Sequence, residues 1–259
     1  ELQSFDAYYT RTLTRIDPTK CPKLMQLTLE MTDVASVDVS KNPHLRILNV
    51  SETKVKELDL SQNKELLELY CTHVSGFVNK GAYKFQTLDV SNSHWLYRLN
   101  CAGNALTTLK FYHPTPNDSS GLVSLDASDN YLTHIDLSNQ NYLNYVHIQN
   151  NCMDFATLPM DSGVWQDYQY SQRAMPMEPA YKVGDTIDLS KRVFRHGFLT
   201  SAIMYAIPMN TTDSFVLLDT SYYSFNDTTG IVVLKKAYQD SVVIEYKNDA
   251  FPSADMFTE

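Results

Sequence analysis

Apolar residues return along this chain in a fixed column order. The pattern Leu-x-x-Leu-x-apolar begins at Leu24, Leu45, Leu66, Leu96, Leu122 and Leu143, and less cleanly at Trp165, in steps of 21, 21, 30, 26, 21 and 22 residues. A recurrence of this length marks a solenoid. Within each unit, apolar residues at every second position predict a short strand with one buried face. A unit this small cannot bury that face by itself, so neighbouring units must stack.

The best-formed units extend the pattern to Leu-x-x-Leu-x-Cys-x-x-Asn-x-Leu. Leu96 to Leu106, Leu122 to Leu132 and Leu143 to Met153 all read this way, with Asn104, Asn130 and Asn151 in one column. These residues resemble the signature of the leucine-rich repeat family over most of positions 24 to 170. The resemblance implies that the Asn satisfies backbone groups where the chain turns out of its strand. Thr32 and Thr53 stand in for it in the first two repeats and Val74 in the third. Thr can do part of that work and Val cannot, so the third repeat is expected to turn irregularly.

Each unit holds a second apolar triplet about half a repeat further on: Val34-Val37-Val39, Val55-Leu58-Leu60, Phe85-Leu88-Val90, Leu106-Leu109-Phe111 and Leu132-Ile135-Leu137. Leu13 and Ile16 continue this column backwards, so the chain enters the stack a half-repeat early. Two triplets per unit predict two parallel ladders on opposite sides of a flattened coil. The Asn-bearing triplet is taken as the concave side, although the second triplet also fits the family consensus.

Residues 1–23 read as a cap in which Phe5, Tyr8 and Tyr9 cover the first open end of the core, with room for a helical turn. Two insertions break the period. One spans Gly76 to Lys84, after the third strand; the other spans Tyr112 to Gly121, before Leu122. They leave opposite ends of the two triplets and should project from opposite rims. Loops on a rigid scaffold carry binding, and length drift at modest entropic cost explains them equally well. Trp165, Tyr168 and Tyr170 place aromatics in the Leu columns of a last strand. Met175-Pro176-Met177-Glu178-Pro179 then forms a stiff junction.

The texture changes from about Tyr181. Short alternating runs at 186–189, 202–207, 215–218, 231–234 and 242–246 are separated by turn signals such as Asn226 to Gly230. They predict a small antiparallel β-sandwich closed by residues near Met256 to Thr258. The fold class is therefore mainly β, with a leucine-rich repeat solenoid over 1–174 and a sandwich over 175–259. The order is similar to that of bacterial cell-surface leucine-rich proteins of the internalin type and of gut anaerobes, where a solenoid precedes an immunoglobulin-like module. That resemblance implies a secreted or surface-exposed, extracytoplasmic protein. The lack of an initiator Met fits a leader already removed.

Composition narrows the function. A net charge of −9 and a pI near 5.2 leave no basic stripe to neutralise phosphates, which argues against nucleic acid. No apolar run is long enough to span a membrane. Cys71 and Cys101 share the third apolar column of consecutive repeats and read as buried thiols acting as small hydrophobes. No Cys-x-x-Cys pair supports a redox or zinc site. Catalytic signatures are absent, and Cys71 with His73 does not make a thiol–imidazole pair, since Cys71 points inward and His73 lies in the turn. Neither an enzyme nor a cofactor is expected. Asp17, Asp38, Asp59, Asp89 and Asp136 form an outward column of like charges. Hydrogen bonding to the hydroxyl residues two positions on is the ordinary account, and a calcium row is the alternative.

The candidate site is the outward face of the Asn-bearing triplets. Tyr70, Asn100, Asp126 and His147 should line up across successive repeats. Tyr70, Arg98 and Tyr145 carry the side chains that favour interfaces. Trp95, just before its strand, is aromatic where His44 and Glu65 stand in other repeats; it is either a contact residue or packed against the 76–84 insertion. A protein partner on this face is the first expectation and a glycan the alternative.

Overall fold

The computed structural model describes residues 2–73, 84–154, 157–159, 165–170, 172, 182–190, 200–207, 216–237, 241–248 and 256–258. The third-repeat turn at Val74, the first insertion up to residue 83, the junction at 175–179 and the stretch at 249–252 lie outside them. Among the described residues the chain is nearly all β, with a 3-10 turn at Pro18–Lys20. It divides into two compact units, one of Glu1–Gln149 with Asp161–Gln169, the other of Asn150–Met160 with Tyr170–Glu259.

The first unit is a parallel-strand solenoid. Its strands β1 (Ser4–Asp6), β2 (Gln26–Thr28), β3 (Ile47–Asn49), β4 (Glu68–Tyr70), β6 (Arg98–Asn100), β8 (Ser124–Asp126), β9 (Tyr145–His147) and β10 (Asp167–Gln169) form one eight-stranded ladder in that order. The central residues pair as Leu27, Leu48, Leu69, Leu99, Leu125 and Val146, all fully or almost fully buried. Each inward column is therefore continuous from turn to turn, as the Leu spacing requires. Tyr168 extends the column at the far end, half-buried and edge-on to Trp165 with ring centroids 4.8 Å apart.

The lead-in corrects the expected cap. Ser4–Asp6 is a strand that pairs with β2, and Phe5 takes the half-buried place beside Leu27. Tyr8 and Tyr9 are 58% and 61% exposed and do not close the core. The cause is local: Asp6 accepts the Tyr8 N–H at 3.0 Å and Tyr9 adopts a left-handed φ of 55°, so the chain turns outward. The same conformation recurs at Met31, Glu52, Gly103, Asp129 and Asn150, one residue before the Thr or Asn of their repeats. In place of a helical turn, the segment has the 3-10 turn at Pro18–Lys20.

The Thr and Asn column works as the resemblance implied. Asn104 and Asn130 are buried; their amide nitrogens donate to main-chain carbonyls, and their oxygens accept the N–H groups of Phe85 and Leu106. Thr32 and Thr53 manage one carbonyl each, those of Leu29 and Val50, at 2.7 Å. A second amide column at the other turn was not foreseen. Asn42 donates to the carbonyls of Pro18 and Cys21, and Asn63 to those of Val39 and Asn42. Gln140 donates to Tyr112 O at 2.7 Å and accepts from Leu122 N at 2.9 Å.

The second ladder is shorter than the sequence pattern predicted. Among the described residues only β5 (Thr87–Val90) and β7 (Thr108–Phe111) pair as strands there. Elsewhere isolated bonds such as Lys54 N to Val34 O (2.9 Å) and Tyr131 N to Leu106 O (2.9 Å) tie successive turns. The first and last apolar residues of the triplets stay largely inward, and isolated turn-to-turn bonds stand in place of a continuous ladder.

The second unit holds two antiparallel sheets. β11 (Thr186–Asp188), β15 (Ile231–Leu234) and β14 (Tyr223–Asn226) form one, in the order β11-β15-β14. β13 (Val216–Leu217), β12 (Thr200–Ile207), β16 (Ser241–Asn248) and β17 (Met256–Thr258) form the other, in the order β13-β12-β16-β17. β14 was not expected, because its aromatic and hydroxyl residues lack an aliphatic run. Its Tyr223 is buried, and the phenol oxygen accepts the Met204 N–H at 3.4 Å, a bond from one sheet to the other. Asn226 makes the β14–β15 turn by accepting the N–H groups of Thr228 and Thr229, and Gly230 supplies a φ of 70°.

Candidate functional site

Strand register fixes the outward face. Along the ladder Asn49, Tyr70, Asn100, Asp126, His147 and Gln169 are successive partners, and beside them Ile47, Glu68, Arg98, Ser124, Tyr145 and Asp167 form a second column. The 30-residue step between β4 and β6 does not disturb this register, because the additional residues fall between strands. Neighbouring side chains within a column stand one ladder step apart, about 4.8 Å.

Glu68 organises the middle of the face. Its carboxylate accepts the Tyr70 hydroxyl at 2.5 Å through one oxygen and the Tyr97 hydroxyl through the other. Arg98 lies directly across from Glu68 in register, 3.5 Å from the carboxylate, and also donates to the Tyr70 hydroxyl at 3.2 Å. Its guanidinium lies 5.7 Å from the centre of the Tyr97 ring, within cation–π range. Burial pushes the Glu68 carboxyl up, but the two phenol hydrogen bonds and Arg98 outweigh it and hold the group below its usual range. Partial burial raises the Tyr70 phenol, while the bond to Glu68 is what chiefly raises Tyr97.

Asn100 and Asp126 are adjacent in the neighbouring column but are engaged locally. Asn100 Oδ1 accepts the Ala102 N–H at 3.2 Å, and Asp126 Oδ1 accepts the Ser128 N–H at 3.1 Å and its hydroxyl at 2.7 Å. His147 is paired with Asp167 on the next strand at 2.7 Å, and that contact lowers the Asp167 carboxyl. Tyr145 is 45% exposed, its hydroxyl 3.4 Å from Gln166. Trp95 is 57% exposed on the rim that precedes β6, where His44 and Glu65 are in hydrogen-bond contact at 3.0 Å in earlier turns. Of the seven residues singled out by pattern, the structure joins Tyr70 to Arg98 directly. It aligns Tyr70, Asn100, Asp126 and His147, and leaves Trp95 apart on the rim.

Glu68, Tyr97 and Asp167 are the residues that pattern reasoning did not single out. Glu68 was visible as an outward position, yet nothing local distinguished it from other surface carboxylates. Tyr97 precedes its strand, so alternation did not say where its ring would go.

The outward Asp column behaves as a set of turn caps. Asp38, Asp59, Asp89 and Asp136 each accept the N–H of the Ser two residues on, at 2.9 to 3.0 Å. Asp17 accepts the Thr19 hydroxyl at 2.5 Å. Hydrogen bonds from these hydroxyl residues lower all five carboxyls. Among the described residues no group of three or more metal-ligating side chains converges. All four cysteines are free. Cys71 and Cys101 are fully buried, and burial pushes the Cys71 thiol up to about 12 and Cys101 well above the ordinary value. His73 is buried too, its Nε2 3.0 Å from Thr53 O. No helix among the described residues is long and apolar enough to cross a membrane.

No protein-family profile matches the chain, and no curated protein is similar to it in sequence. Among solved structures, it is similar to the functional domain of InlJ from Listeria monocytogenes, a domain described as including a cysteine ladder. The TM-score is 0.52 at 15% identity, over 99% of this chain and 61% of that one. This is a likeness of fold. The chain spans less than two thirds of that structure's length.

Proposed function

We propose that this chain is a non-catalytic binding module of a bacterial surface or secreted protein, and that it holds a protein partner on the ladder face. The observation that carries the reading is the Glu68 network. Tyr70, Tyr97 and Arg98 are large side chains of the types favoured at interfaces. Here one carboxylate fixes them before any partner arrives, which lowers the entropy lost on binding. Tyr145 and His147 extend the same face by two strands. The unbroken ladder holds its turns at the strand spacing, whereas the opposite side is mostly unpaired, and this favours the ladder as the concave side.

The fold likeness to InlJ supports an extracytoplasmic adhesion role, as does the order of solenoid then antiparallel module. For the second module we infer an immunoglobulin-like sandwich, with the domain boundary at 174/175. Its sheet orders β11-β15-β14 and β13-β12-β16-β17 match strands B-E-D and C′-C-F-G of that topology.

Photo-crosslinking residues placed singly at 70, 100 and 147, and at 134 on the far side, test the site against surface-protein extracts. The expected result is one crosslinked species shared by the three ladder positions, absent at 134, and lost when Glu68→Ala releases the network. Equal crosslinking at 134 overturns the proposal.

A further inference from the structure

The rim preceding the ladder changes character along the stack. In the second and third repeats its column is charged, His44 paired with Glu65. In the next three repeats the same column reads Trp95, Gly121 and Tyr142. Trp95 and Tyr142 are 57% and 47% exposed. Both sit in the same turn, closed by Ser93 N to Val90 O and Leu96 N to Ser93 O in one case, and by Gln140 N to Leu137 O and Leu143 N to Gln140 O in the other. The strands that follow them are two ladder steps apart through Ser124, so the two positions stand about 10 Å apart along the stack.

The intervening position of the column is Gly121, with Pro114 and Gln140 packed against it. Gly121 has a φ of 136°, and a Cβ there would meet Gln140 Oε1 and Pro114 Cγ at 3.1 Å. A side chain at 121 is therefore disfavoured by both backbone and packing. Beside it, His94 stacks on Tyr112 with ring centroids 4.3 Å apart, and His94, Phe111, Tyr112 and Gly121 line a small cavity. The second insertion closes this side with exposed Thr115, Asn117 and Ser119.

We infer that this rim is a second binding site, distinct from the ladder face, for a neutral oligosaccharide. Two exposed rings on one rim, with Gly121 between them in the column, suit the C–H faces of two pyranose rings. The polar loop beside them suits the hydroxyl edges. The column carries no charge from Trp95 to Tyr142, and Asp118 in the adjoining loop is engaged by the Tyr112 hydroxyl and the Thr115 N–H, which disfavours an ionic ligand. The chain has only two tryptophans, so Trp165→Phe leaves Trp95 as the sole fluorescent indole.

Titration of the Trp165→Phe protein with cellotetraose and with the N-acetylglucosamine tetramer, followed by Trp95 emission, tests the site. Expected is saturable binding to at least one, with a dissociation constant on the order of 1 mM. In calorimetry on the natural chain, Trp95→Ala and Tyr142→Ala each weaken that binding about tenfold or more at unchanged melting temperature, while Tyr131→Ala, exposed elsewhere, leaves it intact. Glu68→Ala leaves it intact as well, so failure here and failure of the ladder-face reading are separable. Absence of saturation by either sugar, sugar binding that survives the Trp95→Ala/Tyr142→Ala double substitution, or saturation by a proline-rich peptide alone overturns the inference.

Discussion

Asn104 and Asn130, one repeat apart, donate to the same acceptor: the amide of each lies 3.0 Å from the carbonyl oxygen of Cys101. One carbonyl thus uses both lone pairs on side chains from successive turns. Asn104 also reaches back to Cys71 O at 2.8 Å, so three turns of the solenoid are joined through two amides. The consequence is unequal sensitivity along the column.

Asn130→Ala orphans the N–H of Leu106 and takes one partner from each of the carbonyls of Cys101, Ala127 and Ser128. At about 1–3 kcal/mol for the orphaned N–H and about 1 kcal/mol for the bonds lost at the shared carbonyls, it should destabilise the solenoid by about 2–4 kcal/mol. Thr32→Ala loses one bond and should cost about 1 kcal/mol. Hydrogen exchange of the ladder amides under increasing denaturant measures both; equal losses would contradict the shared-acceptor account.

Met31 carries a φ of 57°, a conformation that strains a side chain lacking a local hydrogen-bonding group. The corresponding residues Gly103 and Asn150 tolerate it. Met31→Asn is therefore expected to raise stability by about 0.5–1 kcal/mol, seen as a higher melting temperature, while Asn150→Met lowers it.

Glu68→Gln removes the charge and leaves one carbonyl oxygen for two phenols. A stability loss of about 1–2 kcal/mol is expected. The Tyr97 phenol, raised chiefly by its bond to Glu68, should titrate at lower pH, with a smaller change for Tyr70, whose shift comes first from burial. Tyrosinate absorbance across an alkaline titration, with Tyr97→Phe and Tyr70→Phe to assign the components, reads this out.

The turn-capping aspartates set the acid limit. Asp38, Asp59, Asp89 and Asp136 have folded-state carboxyls below their unfolded value, so the unfolded chain binds protons first as pH falls. Their contribution is present above the unfolded value near about 3.9 and is lost as pH drops through the lower folded values. Through these groups stability should not vary with pH near neutrality and should fall below about pH 4. Replacing all four by Asn should flatten that acid limb, as followed by circular dichroism.

Cys71 and Cys101 should resist alkylation in the folded protein, since burial both excludes the reagent and suppresses the thiolate. Cys21 and Cys152, each half-buried, should react first. Mass spectrometry after iodoacetamide at mild alkaline pH distinguishes the pairs; early modification of Cys101 would contradict the placement.

The sequence alone determined the stack. Leu24, Leu45, Leu66 and their successors are buried because a three-residue strand has one inward position flanked by apolar neighbours, and burial repeats wherever the period does. The outward columns followed from the same alternation, as did the Thr and Asn substitutions at the turns. Only the tertiary structure decided which outward residues act together. Arg98 reaches Tyr70 and Glu68 across 28 and 30 residues of chain, and Tyr97 turns its hydroxyl onto the same carboxylate. Such contacts depend on strand register and side-chain rotamer, which no periodicity encodes. The second ladder and the first strand were misjudged for a related reason: apolar spacing reports what is buried, whereas strand pairing depends on where backbone groups meet a partner before they meet water.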